Sequence, residues 1–464
     1  MQLIQKFIKA NRERTVAIDC FGDAMVDEYY NVQVNRVSPE FPMPIMRSFI
    51  NTPSCSRPGG AANVAAQFKN FNVASLLHCF YDPCCSGVFE DHRVHRMCGT
   101  CFGNACLPIK RRYVVGNLQV IRHDIEQPRC GLSDATIDEY HRLYARELTR
   151  PTLVPGMKNR IEQLDVAILS DYDKGFFSRH SYLNLLTNVK TIVDPKKAPL
   201  SKWKGCTVFK PNAKEAEELS GYSDWQSQAK YFRQELECKA VVITNGGGGI
   251  TGIDGDELFG YWPNPIDNIK SVVGAGDCFC AFFAMAIGHN FSIPEASEIA
   301  WNAGAKYVQG GMNRPITPAE LSPNGIVEPE DLEKRDYKLV FTNGCFDLLH
   351  EGHIKTLEFA KEKGNKLVVA LNSDASIRRL KGDGRPVIPL EQRMLVMSKL
   401  KPVDFVVSFD EDTPLEVIKK IKPDVLVKGA DYEVGNIVGA DVVPQVFRAP
   451  IIQGLSSSNF INRS

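Results

Sequence analysis

The stretch KLVFTNGCFDLLHEGHIKTLEFAKEKG, residues 338–364, reads as a strand, a tight loop and a helix in one pass. Lys338–Thr342 is an apolar strand, the loop runs from Asn343 to Asp347, and a helix begins near His350. His350 and His353 are three positions apart, so on a helix they share one face. Gly352 between them removes a side chain where a phosphate has to come close. Two imidazoles beside the free N–H groups of a helix start suit the phosphates of a nucleoside triphosphate. There they would stabilise charge on the attacked phosphorus and on departing pyrophosphate. A histidine pair by itself is as often structural or metal-binding. The order strand, glycine loop, helix is what singles this pair out.

Downstream, further strands at 366–372, 404–408 and 424–428 alternate with amphipathic helices, which implies a mainly parallel α/β sheet. NSDASIRRLKGDGRP follows one strand and carries Asn372, Asp374 and Lys381; LVKGADY follows another and carries Lys428 and Asp431. Near the end QGLSSSNFI offers Ser456, Ser457 and Ser458 at a short helix start. These residues resemble the cytidylyltransferase-like nucleotidyltransferase family, whose motifs are HxGH and a serine-rich segment before the last helix. The resemblance implies a Rossmann-like domain in which His350 and His353 polarise the triphosphate and Lys381 neutralises its charge. Thr342, Asn343, Gly344, Cys345, Phe346, Asp347, Gly352, Asn372, Asp374, Lys428, Asp431 and the three serines would line the nucleotide. It also implies direct attack by a substrate phosphate, with Mg²⁺ and without a covalent enzyme intermediate. Whether the nucleotide is ATP or CTP stays open, because both kinds of transferase share these motifs.

Upstream the texture changes. Residues 310–336, GGMNRPITPAELSPNGIVEPEDLEKRD, are rich in Pro, Gly and acidic residues, as a domain boundary would be. The expected division is a first domain at 1–325, a linker at 326–335 and a second domain at 336–464. The first part has strand candidates at 16–20, 166–169, 191–193 and 240–244, and residues 284–309 read as one helix. Gly274-Ala275-Gly276-Asp277 opens an apolar helical run; its backbone N–H groups form an anion hole and its aspartate can accept a proton from a hydroxyl. Pro58-Gly59-Gly60-Ala61-Ala62-Asn63 lets the backbone approach a polyol, and Asn212-x2-Glu215 at a helix start suits hydrated Mg²⁺.

Together these features resemble the ribokinase-like sugar kinases, a sandwich fold with a small β lid. The resemblance makes Asp277 the catalytic base and Gly274, Ala275 and Gly276 the anion hole. Asn212 and Glu215 would position metal and triphosphate, with Glu215 acting on Mg²⁺ indirectly. Asn245 and Gly247 would lie along the ATP site and Asn302 near the adenine. Asp23, Asp27, Gly60, Asn63, Asp171 and Lys174 are candidates for the sugar pocket, and Arg36, Lys110, Arg111 and Arg112 for a substrate phosphate. Ser271 stands where the family carries the aspartate of its DxxGAGD motif. The order kinase then transferase resembles the bifunctional ADP-heptose synthesis family. That implies phosphorylation of D-glycero-β-D-manno-heptose 7-phosphate at O1, then transfer of AMP from ATP to the 1-phosphate. A competing reading keeps only the transferase active, with the kinase-like domain as a dimerisation scaffold.

Composition fits this picture. The 464 residues are 44% hydrophobic and 24% charged, with 55 basic and 55 acidic side chains, so no basic footprint marks a nucleic-acid binder. No apolar run is long enough to span a bilayer and no secretory leader is evident, so a cytoplasmic enzyme, dimeric through its kinase domain, is expected. Fourteen cysteines in a chain of this size point to reduced thiols rather than a disulfide framework. Cys79, Cys84, Cys85, His92, His95, Cys98, Cys101 and Cys106 form the one cluster whose spacing zinc could use.

Overall fold

The computed structural model describes residues 2–48, 52–79, 88, 107–116, 118–126, 161–177, 181–197, 199–310, 314–429 and 437–450. Contacts divide the chain into two compact units, Gln2–Ile316 and Thr317–Ser464.

The first unit is built on an eight-stranded sheet. Its strands are β1 (Val16–Gly22), β6 (Val73–His78), β9 (Val166–Ser170), β10 (Lys190–Asp194), β11 (Val208–Phe209), β12 (Ala240–Thr244), β13 (Ile250–Asp254) and β14 (Glu257–Tyr261). Their order is β14-β13-β12-β11-β10-β9-β1-β6. The strands from β12 to β6 run parallel, and only the β12–β13–β14 edge is antiparallel. Buried on both faces, β1, β9 and β12 read as near-continuous apolar runs rather than alternating ones. A second sheet of β2 (Ala24–Asn31), β5 (Cys55–Gly60), β7 (Ile109–Val115) and β8 (Leu118–Ile125) has the order β5-β2-β7-β8. A hairpin of β3 (Gln33–Val37) and β4 (Pro44–Arg47) completes the β structure among the described residues of this unit. The segment expected as one helix at 284–309 is two helices, Ala275–Gly288 and Ile293–Gly310. Asn290, with φ of 63°, and the Ser292–Glu295 cap break them apart.

The second unit carries a wholly parallel sheet of β15 (Leu339–Gly344), β16 (Lys366–Asn372), β17 (Phe405–Phe409), β18 (Val425–Gly429) and β19 (Gln445–Ala449), ordered β17-β16-β15-β18-β19. Chain order therefore reverses between β15 and β18, and the crevice at the carboxyl ends there is where open α/β sheets bind ligands.

The linker expected at 326–335 is packed structure instead. Val327 and Leu332 are buried with Phe341, Val368 and Ile418. The Val327 N–H donates to Val406 O at 3.0 Å, and the Val406 N–H to Gly325 O at 2.9 Å. The boundary falls at Ile316/Thr317. Proline and acidic residues there serve short capped helices: Thr317 and Glu320 form a capping box, as do Glu328 and Asp331.

Candidate active sites

In the first unit the helix Ala275–Gly288 packs against β1, β9 and β10. Gly274 adopts a left-handed φ of 79° as its N-cap, and Asp277 follows in the first turn, 7% exposed. One Asp277 oxygen accepts from the Tyr172 hydroxyl. The other accepts from Asn63 Nδ2 at 2.7 Å, and Gln67 holds Asn63 Oδ1 at 3.2 Å. Burial pushes the Asp277 carboxyl up to about 6, although both donors work against that. A carboxylate so poised can take a proton from a hydroxyl near neutral pH.

Behind it Lys210 and Asp194 form a buried ion pair at 2.9 Å, and the Cys280 thiol donates to the other Asp194 oxygen at 3.3 Å. Burial opposes the Lys210 charge, but Asp194 more than offsets this and holds the ammonium above its usual range. Asn212 and Glu215 form a reciprocal capping box, Asn212 Oδ1 accepting from the Glu215 N–H and Glu215 Oε2 from the Asn212 N–H. Glu215 Oε1 takes Lys196 Nζ at 2.9 Å. The glycine loop after Asn245 is braced by Trp301, whose indole donates to Gly246 O at 3.1 Å. A Cβ on Gly247 or Gly276 would meet nothing within 4 Å, so both face open space. Asn302 caps back onto Glu298 O at 2.8 Å and approaches Tyr261.

The sugar-pocket candidates divide. Asp23 is committed to the backbone N–H groups of Tyr172, Lys174 and Phe176, each at 3.0 Å, and so shapes the loop after β9. Asp171 pairs with Lys202 and Lys174 with Glu126. Asp27 pairs with buried Arg112 at 2.8 Å. Gly60 has φ of +60°, and a Cβ there would lie 2.4 Å from Asp23 O. Ser271 Oγ accepts from the Val273 N–H and braces the loop entering the helix.

In the second unit His350 is the N-cap of the helix Glu351–Lys361, and its N–H donates to His353 Nδ1 at 3.4 Å. The two rings stack with centroids 3.8 Å apart, and Phe346 lies 5.0 Å from His353. Burial lowers His350; burial, then the His350 and Lys381 charges, bring His353 down to about 4. Both imidazoles are therefore neutral at pH 7, able to donate from one nitrogen each. Lys428 reaches Asn343 O from β18 at 3.4 Å, and Thr342 is buried at the end of β15. Gly344 packs on the Phe346 ring, where a Cβ would be 3.0 Å away. Cys345 Sγ faces Asn372.

Asp347 accepts from the Val387 and Ile388 N–H groups and from Arg385 at 2.5 Å. Burial alone would raise its carboxyl; these donors outweigh that and hold it below the usual range. Gly352 O accepts from Thr356, and Lys381 ends the helix Asp374–Lys381, exposed. Arg393 is not among the residues expected at the site. It is 3% exposed and ties the loops together, donating to Ile388 O, Cys345 O, Asn372 O and Asp374 Oδ1 at 2.6–2.9 Å.

Asp431, Ser456, Ser457, Ser458 and the zinc-spaced cluster apart from Cys79 lie outside the described residues. Cys79 is buried. Among the described residues no group of three or more His, Cys, Asp or Glu side chains is placed to hold a metal, and no helix is long and apolar enough to cross a membrane.

Comparison with known proteins agrees with this division. Residues 184–318 match the pfkB family carbohydrate kinase model, and residues 341–443 the cytidylyltransferase-like model. Bifunctional protein HldE of Caulobacter vibrioides is 34% identical, covering 95% of each chain. That of Halorhodospira halophila is 34% identical over 97% of each, and that of Campylobacter jejuni subsp. jejuni serotype O:6 is 33% identical over 95% of this chain and 96% of its own.

Proposed function

The chain belongs to the bifunctional HldE family, and we propose how its residues divide two reactions between its two units. The protein is a sugar kinase and a nucleotidyltransferase that makes ADP-heptose: ATP phosphorylates D-glycero-β-D-manno-heptose 7-phosphate at O1, and AMP is then transferred from ATP to heptose 1-phosphate with release of pyrophosphate.

In the kinase unit Asp277 removes the proton from the sugar O1 hydroxyl, which takes the place of Tyr172 on its carboxylate. The N–H groups of Ala275, Gly276 and Asp277 receive the transferred phosphoryl group. The observation that carries this reading is Asp277 itself, buried at a helix start and raised to about 6. Asn245, Gly247 and Asn302 flank the nucleotide, while Asn63, Gly60 and Asp27 border the sugar. Asp23, Asp171 and Lys174 act through the loop they hold. For Mg²⁺ the fit rests on Glu215, a nearly buried carboxylate with one oxygen in a capping box and the other on half-exposed Lys196. That suits an ion that keeps several waters and takes its remaining oxygens from substrate phosphates. Mg²⁺ supplies charge neutralisation of the triphosphate.

In the transferase unit the attacking group is the sugar 1-phosphate. His350 and His353 donate to the triphosphate from neutral rings, Lys381 and Lys428 add positive charge, and Ser456, Ser457, Ser458 and Asp431 complete the phosphate and nucleotide contacts. Arg393 and Asp347 position the loops. A cytoplasmic homodimer formed through the kinase unit belongs to the same reading; exposed Val37, Phe41 and Met43 of the β3–β4 hairpin region are the surface it would cover.

Phosphorus NMR of the full chain with heptose 7-phosphate and ATP, and separately with heptose 1-phosphate and either ATP or CTP, tests the assignment. The expected products are the 1,7-bisphosphate, and ADP-heptose with pyrophosphate from ATP alone. Preference for CTP would overturn the adenylyl half, and absence of the bisphosphate the kinase half.

A further inference from the structure

Where the chain leaves β5, Asn63 stands in the helix Ala61–Ala66 and Gln67 at its C-cap, four positions on and so on the same face. Both side chains are wholly buried. A primary amide offers donor hydrogens at one end and an accepting oxygen at the other, so its orientation follows from what each end meets. Asn63 Nδ2 donates to Asp277 Oδ2 at 2.7 Å and to the Tyr307 hydroxyl at 3.3 Å. Its Oδ1 accepts from Gln67 Nε2 at 3.2 Å. In the chain Gln67, Asn63, Asp277 every bond therefore points its hydrogen toward the carboxylate.

That direction has a chemical cause. An ionised carboxylate only accepts, so it requires the nitrogen end of Asn63. Turned over, Asn63 would set Oδ1 against Asp277 and Nδ2 against the Gln67 nitrogen, acceptor facing acceptor and donor facing donor. Gln67 makes its one bond at a cost, because its Oε1 is buried with no hydrogen-bond partner among the described residues. An unpaired buried carbonyl lowers stability, and an apolar side chain of similar size would avoid that loss. Packing alone gives no reason for an amide at this position.

We propose that Gln67 is a positioning residue of the kinase reaction, donating to Asn63 so that the nitrogen end of that amide, and not its oxygen, meets Asp277. The carboxylate is then held ionised and in one orientation while the sugar hydroxyl displaces Tyr172. The Asn63 bond is one of the two that work against burial at Asp277. Facing the same carboxylate are Asp27 of β2, Lys110 of β7, Tyr172 after β9, Asp194 of β10 and Tyr307 of the helix Ile293–Gly310. Cys278 and Cys280 lie near it on its own helix. All of these stay in place when only Gln67 is changed. The proposal rests on the reading of Asp277 as the kinase base.

The test is kinase kinetics across pH, with thermal unfolding, for full-length Gln67→Met, Gln67→Glu, Asn63→Ala and the combination of Asn63→Ala with Gln67→Met. Gln67→Met exchanges one unpaired carbonyl, Gln67 Oε1, for another, Asn63 Oδ1, so the unfolding temperature should stay within about 3 °C of wild type. Even so, kcat should fall about tenfold while KM for ATP and for heptose 7-phosphate holds within about twofold. The acid limb of kcat/KM should move to higher pH. Gln67→Glu keeps the shape but puts an oxygen in place of the donor, and should lose more than Gln67→Met. The limb position does not depend on the fraction of enzyme folded, so it reports on the base even in a destabilised variant. In the Asn63→Ala background Gln67→Met should have no further effect on kcat. An acid limb that stays where it is, or a Gln67→Met loss as large without Asn63 as with it, would overturn the proposal and leave Gln67 to packing alone. Asp277→Asn distinguishes the underlying reading: if that variant still phosphorylates the sugar, the base assignment fails whatever Gln67 does.

Discussion

The two proposed active sites apply one physical effect with opposite signs. At Asp277 burial disfavours a negative charge and raises the carboxyl to about 6; at His353 burial disfavours a positive charge and lowers the imidazole to about 4. Each group is moved toward its neutral form, yet the consequences differ. The carboxylate becomes a better base close to working pH. The imidazoles become donors without fixed charge, which the proposed roles of Lys381 and Lys428 would supply. The supports differ too. Asp277 is held by side chains far apart in sequence, Asn63 and Tyr172, whereas the histidines sit on a loop scaffold fastened by Arg393 and Asp347.

The largest way to break this contrast is at Arg393. Replacing it with Met leaves three backbone carbonyls and Asp374 without their buried partner, a loss on the order of 3–5 kcal/mol. Thermal unfolding of the full chain should show the transferase unit strongly destabilised, with adenylyl transfer lost and sugar phosphorylation retained. Equal loss of both activities would mean the scaffold is not local.

A smaller effect sharpens the other side. Asp277 has a folded pKa of about 6 against 3.8 in its unshifted state, so its stabilising contribution is complete below 3.8 and is lost as pH rises through 6. Between pH 4 and pH 7.5 the wild-type kinase unit should lose up to about 3 kcal/mol relative to Asp277→Asn, taking about 1.4 kcal/mol per unit. Denaturant midpoints at the two pH values measure this. Curves that run parallel for wild type and variant would remove the raised pKa. Kinase rate should fall below pH 6 as the base protonates, with no matching fall in the transferase from that carboxylate.

Much of this was legible in the sequence because strand periodicity and glycine-bearing turns are local signals. The strands from Val16, Val166, Ala240, Leu339 and Lys366 stand where apolar runs predicted them, and Asp277 and His353 follow from short motifs. What was not legible depends on distance along the chain. Tyr172 lies inside LSDYDKG, yet nothing local says that its hydroxyl meets a carboxylate 105 positions away. Arg393 carries no local mark of its role, because burial of a guanidinium is decided by loops from three other segments. Asp23 and Asp171 are expected at the sugar through the family resemblance, and nothing local announces that their oxygens also hold backbone and lysine donors of the fold. The misplaced linker has a similar cause: proline and acidic residues are equally the composition of capped short helices, and only the burial of Val327 and Leu332 separates the two.

The central claim is that two independent sites, one centred on Asp277 and one on the histidine pair, act within one chain. Assaying both half-reactions in full-length Asp277→Asn and in full-length His350→Asn tests it most directly. Sugar phosphorylation should fall by about 10²–10⁴ in the first with pyrophosphate release intact, and the mirror image, about 10²–10³, should hold in the second. Either substitution abolishing both reactions together would contradict it.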